Sequence, residues 1–264
     1  MNFASPVRIA CAQYAARNGD VTANLALISS LAAQAETAGA KLLVLPELGV
    51  TGYVRPELVP GLAEPIPGPI SESLAVLARQ HRLAIAAGLA EREPRGRLRN
   101  TMLLLGADGR ELLRYRKVHL WDTEKAWATP GDGFPVARLG DLTIGQWICY
   151  DNRFPEAARS LAKAGAQVAF SAAAWFGPAE EWELTLRARA LDNGIFTAGS
   201  VLLGPHFHGT ALIVDPHGTV LARGEPGVNQ IITADIDLAV IARFHQRIPL
   251  LSHLRPKSYR TKGS

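Results

Sequence analysis

The two cysteines of the chain sit in unlike settings. Cys11 lies inside the apolar run "VRIACAQY" (7–14), where a buried, inert thiol is the expected outcome. Cys149 closes "LTIGQWICY" (142–150), and "DNRFPE" follows at once. Strand ends and the loops after them are where α/β folds present reactive groups. A thiol in such a place becomes a nucleophile when a base or a cation stands beside it. Two other residues occupy matching positions. Glu47 ends the aliphatic stretch "KLLVLPE" (41–47), where burial would raise its pKa and make it a proton carrier. Lys117 ends "TMLLLGADGRELLRYRK" (101–117), where a fixed ammonium would steady a developing oxyanion. Taken singly, each has a plainer reading: a structural thiol, a loop cap, a surface lysine. Found at three strand ends, they read together as nucleophile, base and cation.

The elements that must position them follow from hydrophobic period. "VRIACAQY", "KLLVLPE", "LAIAAGLAE" (83–91), "LTIGQWICY", "AQVAFSAA", "IFTAGSVLL" and "QIITADID" read as strands. "GDVTANLALISSLAAQAETAG" (19–39) reads as a helix with Asp20 as N-cap and Gly39 past its end. "SESLAVLARQH" is a second helix, with Ser71 as its expected cap. "FPEAARSLAKAG", "AEEWELTLRARALDNG" and "LAVIARFHQRI" complete the set, the first of them placed to aim N–H groups at Cys149. The hairpins "TMLLLGADGREL" (101–112) and "TALIVDPHGTVL" (210–221) align without a gap, sharing Thr101/Thr210, Leu103/Leu212, Gly109/Gly218 and Leu112/Leu221. "GAKLLVLP" and "GAQVAFSA" match similarly. The pattern predicts two similar halves within one domain over residues 1–264, each a sheet covered by helices.

Composition narrows the function classes. Hydrophobic residues make up 48% and charged residues 20%, the balance of a soluble globular chain. No apolar run reaches the ~20 residues of a membrane span, the start lacks a signal-peptide pattern, and two cysteines make no disulfide framework. A cytoplasmic location without membrane association is the expectation. The net charge of +4 is carried by residues 91–117 and the tail, neither with interleaved aromatics, so no nucleic-acid partner is expected. No G-x-G-x-x-G or P-loop is present, which argues against a nucleotide-binding fold. His206 and His208 form an HxH pair, but no cysteine or carboxylate cluster completes a metal site. They read as loop or pocket residues, and no metal or organic cofactor is expected. His119 in "KVHLW" is the histidine nearest the chemistry.

"LLVLPELGVTGY", "YRKVHLWDTE…TPGDGFPV" and "GQWICYDNRFPE" resemble the three signature blocks of the nitrilase superfamily, the carbon–nitrogen hydrolases. The resemblance runs from "IACAQY" to "LRPKSY" and is closest to the aliphatic and ω-amino-amide amidases. It implies a four-layer α-β-β-α sandwich with two mixed sheets. It implies a Glu47–Lys117–Cys149 triad, a further glutamate at Glu124, and thioester chemistry with the Tyr150 N–H helping Lys117 hold the oxyanion. Small aliphatic amides are the first expected substrates, N-carbamoyl amines second, and nitriles third, since nitrile-cleaving members often follow the cysteine with Trp-Glu. A catalytically idle binding scaffold is the non-enzyme alternative, which the complete Glu-Lys-Cys set disfavours. Tyr53, Trp121, Trp127, Tyr150, Trp175, Phe176, His206 and Phe207 are candidate wall residues. Trp127 stands where Phe is frequent, and Asp192 and Ser200 depart from the usual Glu and Asn. An extended tail from about residue 248 implies a homodimer or larger homo-oligomer.

Overall fold

The computed structural model describes residues 6–259, so the last basic residues of the tail lie outside it. The chain follows the same course twice. The first half holds β1 (Val7–Tyr14), α1 (Val21–Thr37), β2 (Leu42–Val44), the short α2 (Val59–Leu62), α3 (Pro69–His81), β3 (Ala84–Arg92), β4 (Leu98–Leu105) and β5 (Glu111–Arg116). The second holds β6 (Val136–Leu139), β7 (Leu142–Ile148), α4 (Pro155–Lys163), β8 (Val168–Ala173), α5 (Ala179–Asn193), β9 (Phe196–Leu202), β10 (Leu212–Val214) and β11 (Val220–Arg223). β12 (Gln230–Ile236) and α6 (Leu238–Arg247) follow.

Pairing makes the repeat explicit. β1-β2-β3 run parallel and β4-β5 return antiparallel beside β3. β7-β8-β9 and β10-β11 repeat that order and those directions. Each half takes one further antiparallel edge strand, β12 beside β1 and β6 beside β7. The two aligned hairpins are therefore equivalent parts of two sheets. β6, which begins at the last residue of the "TPGDGFPV" block, is a strand that periodicity missed because it is short and flanked by Pro135 and Gly140. The sheets are not separate: β1 and β9 pair at Gln13↔Val201 and Tyr14↔Leu202, so hydrogen bonding is continuous across the seam. Ser200, a departure from the family pattern, donates its hydroxyl to the Ala12 carbonyl at this seam. Asp192 is exposed and pairs with Arg189, away from the Glu47–Lys117 cluster.

The two sheets face each other, with Cys11, Val44, Ala86 and Met102 sharing a core with Ile144, Ile148, Phe170 and Ala198. Fully burying each larger aliphatic contributes about 1.5–3 kcal/mol. The opposite face of the first sheet packs Ala10, Leu43 and Ile85 against Ile28, Leu31 and Leu74 of α1 and α3. Gly199 gives room to Trp182 of α5, since a Cβ there would lie 2.5 Å from its ring. Helix, sheet, sheet, helix is the layering that results. Asp20 caps α1 as expected, accepting from Ala23 N at 3.0 Å. Ser71 is not the cap of α3: Gly68 is, and Ser71 Oγ accepts the Gly68 N–H from the first turn at 2.9 Å.

Candidate active site

Parallel strands end on one side of each sheet, and the site lies beyond those ends. Glu47 follows β2, where the chain turns sharply through Leu48 at φ 50°. That turn rests on the backbone of Gly88 in β3. A Cβ on Gly88 would lie 2.6 Å from Pro46 O and 2.7 Å from Glu47 Cα. Gly88→Ala must therefore push Glu47 out of place. Overpacking of this kind costs about 1–3 kcal/mol, and we expect a lower melting temperature together with at least a ~10-fold slower turnover, because ~1 Å misplacements are expensive in catalysis. An unchanged rate in a destabilised variant would show that Glu47 tolerates displacement.

Cys149 follows β7 and opens a 3-10 turn, Cys149–Arg153, with φ 45° at the cysteine. This turn, with Tyr150 as its second residue, stands between the cysteine and α4. A non-glycine residue held at positive φ costs on the order of 1–3 kcal/mol and persists only where neighbours over-determine it. Asp151 is the neighbour here. It is fully buried and accepts from Ile148 N at 2.9 Å, the Tyr115 hydroxyl at 2.6 Å and His119 N at 3.0 Å. His119 Nδ1 meets it at 2.8 Å while the His119 ring stacks on Phe154, centroids 3.6 Å apart. His119 thus braces the turn through Asp151. Leu48, Asp122 and Cys149, three of the four positive-φ non-glycine residues among those described, flank the site.

The structure brings Glu47, Lys117 and Glu124 together. Lys117 Nζ donates to Glu47 Oε1 at 2.7 Å and to Glu124 Oε1 at 2.8 Å, with all three side chains at most 1% exposed. Glu47 Oε2 accepts the Ala174 N–H at 2.8 Å, and the carbonyl of the same Ala174 accepts from Cys149 Sγ at 3.6 Å. Glu124 is held by the Trp121 N–H at 2.8 Å and the Tyr53 hydroxyl at 3.2 Å. One residue that sequence reasoning missed stands in the middle: Asn100 Nδ2 donates to both Glu47 Oε1 (2.8 Å) and Glu124 Oε1 (3.0 Å). Its only signal was its place, with Arg99 and Thr101, among the polar residues that open the fully buried strand β4.

Charge and burial set the resting state. Burial pushes the Cys149 thiol well above its ordinary pKa, Glu47 adds to the rise, and Lys117 opposes both without prevailing. The ammonium therefore does not keep the sulfur as a thiolate, contrary to the expectation from its proximity. Burial, with Glu47 adding, carries Glu124 up to about 7 although Lys117 pulls the other way. Lys117 is raised by Glu47, Cys149 and Glu124 against the burial that would lower it, so it stays an ammonium. Cys11, fully buried in β1, is raised by burial alone.

A cavity of about 160 Å³ opens at the sulfur, lined by Trp121, Cys149, Tyr150, Arg153, Trp175, Phe176 and Gly177. Tyr53 stands beside it, its ring 5.4 Å from Phe176 and 6.0 Å from Phe207. Arg153 lies over the Trp175 ring at 4.8 Å and pairs with Glu181. Two expected wall residues are elsewhere. His206 is exposed, and its neighbour Phe207 is the residue that turns inward, against Tyr53 and Phe176. Trp127 packs against the separate cluster of Leu48, Val54 and Leu98 and does not line the cavity at the sulfur.

Two face-to-face mixed sheets carrying a thiol, an ammonium and two carboxylates around one small pocket define a hydrolase-like site of the nitrilase type. The chain belongs to the carbon–nitrogen hydrolase family, whose model matches residues 8–246. It is 34% identical over 253 residues to omega-amidase NIT2 of Xenopus tropicalis, spanning 89% of this chain and 91% of that one. An (R)-stereoselective amidase of a Pseudomonas species is 34% identical over 245 residues, 90% of this chain and 88% of its own. An amidase structure from a Nesterenkonia species superposes with a TM-score of 0.84 at 30% identity, covering 97% of this chain and 96% of that one. A mutant of that amidase, at TM-score 0.84 and 29% identity over 98% of both chains, bears the acetamide moiety of fluoroacetamide covalently at its active-site cysteine.

Proposed function

We propose that the protein hydrolyses small aliphatic amides to a carboxylic acid and ammonia through a thioester on Cys149. Glu47 accepts the thiol proton as sulfur bonds to the carbonyl carbon. The oxyanion is steadied by Lys117 and the Tyr150 N–H. Glu47 returns the proton to the nitrogen, the C–N bond breaks, and ammonia leaves. A water deprotonated by Glu47 then attacks the thioester, the C–S bond breaks, and the thiol regains its proton. Splitting the reaction in two avoids direct attack of water on a resonance-stabilised amide. A neutral resting thiol makes the adjacent carboxylate necessary as a general base.

The observation that carries this reading is the fully buried Glu47–Lys117 pair joined through Ala174 to the sulfur at the floor of a mainly apolar pocket. A cavity of about 160 Å³ between aromatic walls suits a short acyl chain. N-carbamoyl amines and nitriles rank second and third. Ammonia release over a panel of all three classes tests the order. Turnover of short amides first is expected, and retention of an amide without any release would favour an idle scaffold instead.

Glu124, poised to exchange a proton near neutrality, gives the activity a pH signature. Below about pH 7 Glu124 takes up a proton, and the hydrogen-bonded network that Lys117 shares with it changes its charge. We expect kcat/KM to rise with pH towards about 7, and Glu124→Gln to remove that limb; a flat wild-type profile from pH 5.5 to 8 would contradict it. One domain over residues 1–264, a cytoplasmic location and a homodimer or larger homo-oligomer belong to the same proposal. Exposed Ile248 (41%) and Tyr259 (64%) on the tail support the last of these, which light scattering of the purified protein tests.

A further inference from the structure

Asn100 touches every charged member of the Glu47–Lys117–Glu124 cluster, though 53, 17 and 24 positions separate it from them in the chain. Its backbone carbonyl accepts the Lys117 N–H at 2.8 Å, fixing where the lysine leaves β5. Its side-chain nitrogen spends one hydrogen on each carboxylate. The amide orientation follows from chemistry, since an oxygen turned towards two carboxylate oxygens would only repel. Its own Oδ1 has no partner among the described residues, in a side chain that is 1% exposed. Buried acceptors are seldom left this way, and one that is calls for a reason.

The reason lies in the charge count. Lys117 brings a single positive charge to two buried carboxylates. A second cation would complete neutralisation but would hold Glu47 too firmly ionised to serve as a base. A third carboxylate would repel both. An amide NH₂ adds two donor bonds and no charge. It draws both Oε1 atoms towards one point and leaves Glu47 Oε2 on the Ala174 N–H, on the side of the sulfur. We propose that Asn100 is a positioning residue for amide hydrolysis, a neutral clamp that keeps Glu47 and Glu124 together as the proton-handling pair. This rests on the amidase reading. The other titratable groups facing the pair are Lys117 from the end of β5, Tyr53 from the loop after β2, and Cys149 from the turn after β7.

The test compares Asn100→Asp, the closest in shape, with Asn100→Ala, using the short amide that the wild type turns over best. Hydrogen bonds to an ionised carboxylate favour ionisation, so losing them raises the pH at which the pair releases its proton. Both variants should lose ~10-fold or more in kcat with little change in KM. Their acidic limb in kcat/KM should move up by at least ~0.5 pH unit, further for Asn100→Asp. A profile that scales down without moving would overturn the proposal, as would unaltered kcat. Loss of the fold in both variants, seen by circular dichroism, would also overturn it, because Asn100 would then hold the sheet rather than the carboxylates. A wild type that releases no ammonia from any amide would instead defeat the amidase reading itself.

Discussion

Cys149→Ala is expected to abolish amide turnover while leaving the protein folded. Cys149 is 7% exposed, and the hydrogen bond of its sulfur to the protein is a long one to Ala174 O at 3.6 Å. Removing one buried atom with so weak a partner costs little in packing. Alanine carries the same Cβ, so the positive φ at this position is neither relieved nor worsened. The chemistry, by contrast, has no substitute nucleophile nearby: Cys11 is sealed within β1 with its thiol raised by burial. Loss of a nucleophile that acts as one unit with its base typically lowers kcat by ~10⁴-fold or more. Steady-state ammonia release and a thermal melt, taken on the same preparation, check both halves. A variant that keeps a hundredth of the wild-type rate would defeat the covalent route.

Lys117→Ala should damage rate and stability together. Sequence logic expects a loss of oxyanion stabilisation, about 10²–10³ in rate. The structure adds a second consequence, because Lys117 is the cation bridging Glu47 and Glu124. Breaking a buried pair from one side typically costs about 3–5 kcal/mol. The two carboxylates left facing each other must then share a proton, so their folded-state pKa rises above the unfolded value. A carboxyl with a raised folded pKa stabilises the fold at acid pH and ceases to do so as pH climbs through that pKa. The melting-temperature deficit of the variant should therefore be smallest near pH 5 and largest near pH 8. An equal deficit at both values would mean that the pair is not charged in the native protein.

The parts of this account that the sequence made legible are those written as patterns. Strands of aliphatic residues, the Asp20 cap and the two alignable hairpins were enough to foresee two helix-covered sheets. Glu47, Lys117 and Cys149 stood out because each ends a strand, where a reactive side chain is presented beyond the sheet. What was not legible depends on contacts across the sheet. Asn100 is one polar residue in a strand buried throughout, and only the register of β4 against β3 and β5 shows what it faces. Asp151 and His119 form a brace that links two blocks 32 positions apart. His206 and Phe207 are adjacent in sequence, and which of them turns inward is decided by a loop conformation that composition does not encode.

The central claim is that a carbon of the substrate becomes bonded to one particular sulfur. Intact-mass spectrometry of the wild-type protein, acid-quenched during turnover of a short amide, tests it most directly. A transient gain equal to the acyl group, mapped by peptide digestion to Cys149, is the predicted result. Ammonia accumulating with no such adduct, or an adduct carried by Cys11 instead, would contradict it.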